Sequence, residues 1–268
     1  MRLVWITDPH LNFLPAFGPR RFGELVAGEQ PNGDAVVMTG DIAELDSLGE
    51  CLGDFVAGWG KPLYFVLGNH DAYGGSLEGA ARAARAVETA SGGRARWLTE
   101  SGIVALTKNT VLVGHDGWYD ARCGAPETTP VELADFALID DLRGLERAEL
   151  LSKVRALGDA AAQETEPLLK AALACARRVV FATHVPPFRE ACWHQGKISD
   201  DQWLPWFTCK AIGDMLIACA AAHPKTELLV LCGHTHGAGR ALVRPNLEVL
   251  TGAARYGAPD VHAVLDLD

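Results

Sequence analysis

The sequence Gly68-Asn69-His70-Asp71 directly follows an apolar, strand-like run from 62 to 67. Four other apolar runs end in comparable polar turns: Asp8-Pro9-His10, Gly40-Asp41, Thr183-His184 and Gly233-His234-Thr235-His236. Carboxylate, amide and imidazole groups are common metal ligands in proteins. Because ligands bind outside the carboxyl ends of strands in open α/β sheets, we expect the five turns to meet at one edge. Together they supply enough ligands for two metal ions.

Short β-rich runs alternate with helix-like segments, which predicts an α/β fold with buried strands. The predicted strands lie at 3–7, 35–39, 62–67, 110–113, 179–183 and 228–232, and further runs at 247–251 and 261–267 are expected to close a second sheet. Alanine-rich periodic segments predict helices at 76–89 and 210–222. The stretch from 128 to 178 predicts two helices, the first beginning with Thr129 as N-cap and Pro130 at N1. The region from 186 to 208 predicts a long loop without regular structure.

The order and spacing of the five motifs resemble the calcineurin-like metallophosphoesterase superfamily, whose signature reads D-x-H, G-D-x, G-N-H-[DE], a lone His, and G-H-x-H. The resemblance extends from residue 3 to about residue 240 and implies a four-layer α/β/β/α sandwich, in which helices flank two mixed β-sheets. We expect one domain over 1–268, with a helical insertion at about 128–178 and a substrate-side loop at about 186–208.

The resemblance also implies a site for two divalent transition-metal ions. One ion would be bound by Asp8, His10, Asp41 and His236, and the other by Asp41, Asn69, His184 and His234. Nitrogen and oxygen ligands without thiolate suit Mn, Fe or Zn. A hydroxide shared by the two ions would attack the phosphorus atom. His70 would act as general acid, and Asp71 would orient His70 or keep it protonated.

The activity implied is a metal-dependent phosphoesterase, with a small phosphodiester such as a cyclic nucleotide as the favoured substrate. A phosphomonoesterase and a phosphoprotein phosphatase are the alternatives within the enzyme class. A non-catalytic scaffold on the same fold is the alternative from another class, and such proteins usually lose the acid histidine.

Five further residues are candidate substrate contacts because they lie in loops after predicted strands: His115, Trp118, Arg122, Arg189 and Trp193. Either arginine could clamp a phosphate, or it could be solvated. The tryptophans could stack on a nucleobase or an aryl leaving group, or they could anchor their loops by packing. For His115, a hydrogen-bonded turn is the alternative to a substrate contact.

Composition limits the partners of the chain. Its formal net charge of -10 over 268 residues disfavours nucleic acid and favours a small phosphorylated substrate. The longest apolar stretch, from 215 to 222, is far shorter than the roughly 20 residues of a membrane span. A cleaved signal peptide would remove the first motif, so we expect a cytoplasmic protein. The insertion at 128–178 could cap the site or pair two subunits, and the sequence is compatible with a homo-oligomer.

Overall fold

Two large mixed β-sheets form the centre of the computed structural model, which describes residues 1 to 268. The strands in chain order are β1 (Arg2–Ile6), β2 (Ala35–Thr39), β3 (Leu63–Val66), β4 (Ala95–Trp97), β5 (Val104–Ala105), β6 (Thr110–Gly114), β7 (Arg178–Ala182), β8 (Trp193–His194), β9 (Lys197–Ile198), β10 (Glu227–Cys232), β11 (Gly239–Arg244), β12 (Leu247–Thr251) and β13 (Ala263–Asp266). The α-helices are α1 (Gly18–Glu29), α2 (Leu45–Trp59), α3 (Leu77–Ala90), α4 (Leu98–Ser101), α5 (Asp135–Leu138), α6 (Arg147–Cys175), α7 (Leu204–Phe207) and α8 (Lys210–Ala222).

The first sheet has the strand order β13-β1-β2-β3-β4. Strands β1 to β4 are parallel, and β13 pairs antiparallel with β1, placing Trp5 opposite Ala263. The prediction that the run at 261–267 closes the second sheet is therefore wrong. In the structure this strand covers the otherwise open backbone of β1, as the exposed edge of a sheet requires.

The second sheet has the order β11-β12-β10-β7-β6-β5. Its four central strands are parallel, and the outermost strands β11 and β5 pair antiparallel with their neighbours. The run at 247–251 forms β12 of this sheet, as expected.

Residues alternate between the two faces of each sheet, and this alternation produces the layers. Leu3 and Trp5 of β1 join a buried cluster with Val180 and Leu231 from the other sheet. Val4 belongs to the larger cluster, which includes the apolar faces of the flanking helices. The sheets therefore pack face to face with helices outside, which confirms the four-layer α/β/β/α sandwich. The predicted helices at 76–89 and 210–222 are also confirmed, as α3 and α8.

The insertion differs from its prediction of two helices starting at Thr129. The chain is irregular up to the four-residue helix α5, and one helix of 29 residues, α6, then runs to Cys175. Thr129 does not cap a helix, because no helix begins at Pro130. Its hydroxyl accepts from the backbone N–H of Val131 at 3.1 Å and donates to the backbone oxygen of Gln202 at 2.7 Å. The N-terminus of α6 is formed by a capping box between Glu146 and Glu149.

The region from 186 to 208 is more regular than predicted. It contains a 3-10 turn at Arg189–Ala191, the hairpin β8–β9 and the short helix α7. No helix in the structure has both the length and the apolar character that a membrane span needs.

Candidate metal centre

The five sequence motifs meet at one edge of the sandwich. Their loops follow β1, β2 and β3 of the first sheet and β7 and β10 of the second. The carboxyl ends of parallel strands thus bring side chains from both sheets to one place. The side chains that converge are Asp8, His10, Asp41, Asn69, His184, His234 and His236.

One group consists of Asp8, His10, Asp41 and His236, whose ligand atoms all lie within 4.8 Å of one another. His10 Nε2 is 3.2 Å from His236 Nε2 and 3.9 Å from Asp41 Oδ2. His236 Nε2 is 3.6 Å from Asp8 Oδ1. Two imidazole nitrogens and two carboxylates therefore surround a single point, as a divalent cation requires.

The second group consists of Asp41, His184 and His234, joined by Asn69. Asn69 Oδ1 lies 3.0 Å from both His184 Nε2 and His234 Nδ1. Asp41 Oδ1 is 3.3 Å from His184 Nε2, while its other oxygen, Oδ2, faces the first group. The carboxylate of Asp41 is thus placed between the two groups.

Backbone carbonyls fix the tautomers of two of these histidines. His184 Nδ1 lies 2.9 Å from the oxygen of Thr39, and His234 Nε2 lies 2.9 Å from the oxygen of Trp206. A carbonyl can only accept, so each of these nitrogens carries a proton. If both rings are neutral, their other nitrogens present lone pairs to each other at 3.1 Å and to Asn69 Oδ1. Acceptors that converge in this way suit a metal ion, and the carbonyls orient its ligands.

Burial and neighbouring charges set the protonation of the centre. Burial lowers the pKa of His10 and of His234 to about 3, so both rings are neutral and able to bind metal. Burial alone would raise the pKa of Asp41, but the surrounding histidines, His184 foremost, outweigh it and hold that pKa below its usual value. Burial acts to lower the pKa of His184, but Asp41 and Asp8 outweigh it and raise the pKa. This part of the centre therefore attracts positive charge.

Five of the converging residues adopt the left-handed backbone conformation that non-glycine residues rarely visit. They are Asp8 (φ 45°), His10 (φ 43°), Asp41 (φ 49°), His234 (φ 69°) and His236 (φ 56°). Glycines allow the loops to approach closely, because a Cβ atom at Gly68 would clash with Asp41 Oδ1 and one at Gly233 with Asp8 Oδ2. Backbone strain of this kind persists where the surrounding structure enforces it, typically at functional sites.

His70 lies beside the first group, with its Nε2 3.9 Å from Asp41 Oδ2 and its ring stacked on Tyr73 at 4.2 Å. The predicted contact between Asp71 and His70 is absent. Asp71 instead accepts hydrogen bonds from the backbone N–H groups of Ile42, Ala43 and Gly68 at 2.7 to 2.9 Å. The 3-10 turn over 70–72 separates the two side chains. Asp71 therefore ties the motif loops after β2 and β3 together.

Asp135, on α5 of the insertion, is a site residue that the sequence motifs do not reveal. Its Oδ1 accepts from Asn69 Nδ2 at 2.9 Å and from the hydroxyl of Tyr73 at 2.5 Å, and its Oδ2 accepts from the hydroxyl of Tyr119 at 2.8 Å. Burial and Asp135 raise the pKa of both tyrosines well above the usual value, so their hydroxyls remain donors. Because Asn69 donates to Asp135, its oxygen is turned toward His184. An acidic residue between Leu133 and Phe136 is a weak sequence signal for this role.

A cavity of about 330 Å³ opens beside the centre. Five residues of the motifs, Asp41, Asn69, His70, His234 and His236, line it together with the buried Asp135. The remaining wall is mainly aromatic or apolar, with Tyr73, Leu133, Trp203, Phe207 and Tyr256, and His194 also contributes. No lysine or arginine lines the cavity.

The family model described as calcineurin-like phosphoesterase matches residues 1–238, the part of the chain that carries all five motifs. The chain belongs to the calcineurin-like phosphoesterases. No curated protein matches this phosphoesterase in sequence.

Solved structures share the fold of this calcineurin-like phosphoesterase at low sequence identity. Phosphopantetheinyl hydrolase from Mycobacterium tuberculosis superposes with a TM-score of 0.63 and 14% identity, over 95% of this chain and 89% of that one. A dimetal phosphatase from Danio rerio superposes with a TM-score of 0.58 and 13% identity, over 97% and 89% of the two chains. At such identities the likeness demonstrates the fold alone.

Neither predicted arginine of this phosphoesterase lines the cavity. Arg122 pairs with Asp120 at 3.1 Å and with Asp159 at 2.8 Å. Arg189 pairs with Asp201 on the protein surface. Neighbouring carboxylates engage both side chains in this arrangement, and the clamping of a phosphate by either arginine stays a prediction.

The other three predicted contacts also lie outside this cavity. His115 pairs with Glu164 at 3.2 Å and lines a separate cavity of about 200 Å³ together with the buried Trp118. Trp193 packs directly against the backbone of Gly239. The alternative given for the tryptophans, anchoring of loops by packing, describes Trp118 and Trp193. The aromatic residues that do border the cavity beside the metal centre are Trp203, Phe207, Tyr73 and Tyr256.

Proposed function

We propose that this metal-dependent phosphoesterase uses two metal ions and hydrolyses phosphodiesters. The observation that carries the proposal is the pair of ligand groups that share Asp41, which lines the adjoining cavity. Asp8, His10 and His236 would complete one site, and Asn69, His184 and His234 the other. The fold shared with a dimetal phosphatase supports the two-metal form of this proposal.

The donor set fits such ions. It combines neutral imidazoles, carboxylates and one amide oxygen without thiolate, which suits Mn, Fe or Zn better than a soft-metal site. When bound, two divalent ions supply Lewis acidity toward phosphoryl oxygen and an activated water as nucleophile. The protein holds the ligand atoms in place through the carbonyls behind His184 and His234 and the carboxylate behind Asn69.

His70 is the proposed proton donor to the leaving oxygen. Its ring is stacked on Tyr73, its side chain is 16% exposed, and it lines the cavity next to the shared carboxylate of Asp41. A positioned histidine of this kind can protonate an alkoxide as the P–O bond breaks. Asp71 contributes indirectly, by holding the loops that carry Asp41 and Asn69.

Charge favours a diester over a monoester. A phosphate monoester approaches two negative charges at neutral pH, because its second pKa is about 6, whereas a diester carries one. No lysine or arginine lines the cavity, and the carboxylates of Asp41 and Asp135 do. The bound metal ions and the protonated ring of His70 would then be the positive groups facing the substrate, which suits a single negative charge and a small phosphorylated compound.

Hydrolysis of bis(p-nitrophenyl) phosphate and of p-nitrophenyl phosphate by Mn-loaded protein tests this proposal, since both substrates release the same leaving group. Metal content should be measured on the same preparation. We expect about two ions per chain and a higher kcat/KM for the diester. Asp41→Ala should lose metal and activity, whereas the exposed control Asp46→Ala should retain both.

A dominant monoester rate would contradict the diester assignment and indicate a phosphatase. Binding of a single ion with full activity would contradict the two-metal form. A protein that binds no metal and hydrolyses neither substrate would favour the scaffold alternative.

A further inference from the structure

Exposed aromatic side chains concentrate around the cavity beside the metal centre. Four large aromatic side chains of the chain are exposed to solvent: Phe13, Phe17, Trp203 and Tyr256. Trp203 and Tyr256 line the cavity, and Phe13 packs edge-on against Tyr256 at 5.3 Å. Solvent-exposed aromatic surface beside a site is a recognised mark of ligand binding.

The aromatic residues form two walls, one beside each ligand group of the metal centre. Trp203, 42% exposed, packs on Phe207 at 5.2 Å, and Phe207 meets the ring of His234 in the second group at 5.2 Å. Tyr256, 53% exposed, lies 4.4 Å from the ring of His10 in the first group. A phosphoryl group held between the ligand groups would therefore have an aromatic surface on each side.

The two walls differ in their distance from the proposed acid. The ring of Tyr256 is 6.1 Å from that of His70, and His70 also contacts His10 at 4.7 Å. Trp203 and Phe207 have no ring contact with His70; Phe207 contacts His234 instead. The leaving group, which must reach His70, belongs on the Tyr256 side. The substituent that stays on the phosphate belongs on the Trp203 side.

We propose that the wall formed by Trp203 and Phe207 selects phosphodiesters whose retained substituent is a flat, uncharged aromatic ring. This inference rests on the proposed function and specifies its substrate class. Stacking on an aromatic side chain holds such a ring. No lysine or arginine lines the cavity, so a substituent with an additional anion would find no such cation to pair with. His194 lies at the same cavity with its Nδ1 2.8 Å from the oxygen of Thr235, so Nδ1 donates there.

A series of p-nitrophenyl phosphodiesters with one leaving group and different retained substituents tests the inference. The substituents are methyl, phenyl and 4-carboxyphenyl, and the enzyme is the Mn-loaded full chain. We expect a KM for the phenyl ester roughly threefold to tenfold below that of the methyl ester, as one aromatic contact provides. The 4-carboxyphenyl ester should lose this advantage.

Substitutions of Trp203 test whether this wall causes the preference for the phenyl ester. Trp203→Ala should bring the ratio of the methyl KM to the phenyl KM toward one, and Trp203→Phe should retain most of it. Because the intrinsic reactivity of each ester is the same with every variant, the change in ratio reports the side chain. Leu242→Ala, which removes an exposed apolar residue of β11 outside the cavity, should leave the ratio unchanged.

Equal KM values for the methyl and phenyl esters would overturn the inference while leaving the proposed phosphodiesterase activity intact. A phenyl advantage that survives in Trp203→Ala would likewise overturn it. Absence of metal-dependent hydrolysis for every ester would overturn the proposed function and this inference together.

Discussion

Replacing Asp135 with alanine should weaken metal binding at the group formed by Asn69, His184 and His234 more than at the other group. In the structure Asn69 Nδ2 donates to Asp135 Oδ1 at 2.9 Å, which leaves the amide oxygen facing the two histidines. Without this acceptor, Asn69 Nδ2 keeps only a longer hydrogen bond of 3.4 Å to the hydroxyl of Tyr73, so the amide can rotate more easily and present its NH₂ group to the metal. The variant keeps Asn69 but loses the contact that orients its amide oxygen toward the two histidines.

The expected size follows from the behaviour of groups that orient metal ligands. Removing such a group typically lowers metal affinity about 10- to 100-fold, which is about 1.4 to 2.8 kcal/mol of binding free energy. Alanine also leaves the buried hydroxyls of Tyr73 and Tyr119 without their acceptor, and each unsatisfied group costs about 1–3 kcal/mol of stability. Both metal affinity and thermal stability should therefore fall.

Calorimetric titration of metal-free protein with Mn²⁺, together with thermal unfolding, separates the two effects. Tyr119→Phe is the matched control, because it removes a hydrogen bond to Asp135 Oδ2 and leaves the contact to Asn69 intact. This control should lose about 1 kcal/mol of stability and little metal affinity. Asp135→Asn can keep its oxygen toward Asn69, so it should bind metal more tightly than Asp135→Ala.

Unchanged affinity of both sites in Asp135→Ala would refute the assigned role of the carboxylate. Equal weakening of both sites would also refute it, because that result would indicate a general loss of structure. The same conclusion would follow if Tyr119→Phe weakened the second site as strongly as Asp135→Ala.

Three further predictions concern residues around the cavity. His70→Asn should keep both metal ions, as measured by metal content, yet lose about 10²- to 10⁴-fold in kcat on esters with poor leaving groups; metal loss would instead make His70 a ligand. Partial burial, with the carboxylates of Asp41 and Asp8 nearby, raises the pKa of Tyr256 to about 12 in the metal-free protein, so Tyr256→Phe should leave the tyrosine absorbance titration of that protein unchanged between about pH 6 and 10; an absorbance change below pH 10 that vanishes in the variant would contradict this. Arg189→Ala should leave KM within about twofold, because Arg189 is engaged by Asp201 at the surface, where a salt bridge is worth little; a large rise in KM would return this arginine to the substrate site.

The convergence of the side chains in the two ligand groups could be predicted because each of them lies within four residues of the end of a strand. A strand fixes the position of the next one or two residues, so Asp8 or His184 reaches the sheet edge whatever the rest of the chain does. Further from the strand ends, adjacency in sequence was a poorer predictor of side-chain contacts. Asp71 follows His70 directly, but the 3-10 turn directs its carboxylate to the backbone of Ile42.

The residues that line the cavity walls depend on the paths of long segments. Asp135 meets Asn69 across 66 positions of sequence, and Trp203 and Tyr256 reach the cavity from unrelated loops. The sequence around Asp135 and Tyr256 does not indicate these contacts, whereas Trp203 lies in the stretch at 186–208 that is expected on the substrate side. The charge of Arg122 suggested a phosphate clamp, but the pairing with Asp159 on α6 depends on where the insertion packs.

Left-handed backbone at five of the converging residues bears on how this protein could evolve. Glycine accepts such a conformation without steric cost. A laboratory screen that rewards only heat resistance would therefore accumulate glycine at these positions and discard the chemistry of the centre. A lineage released from selection for turnover should drift the same way and leave an intact sandwich with an inert edge.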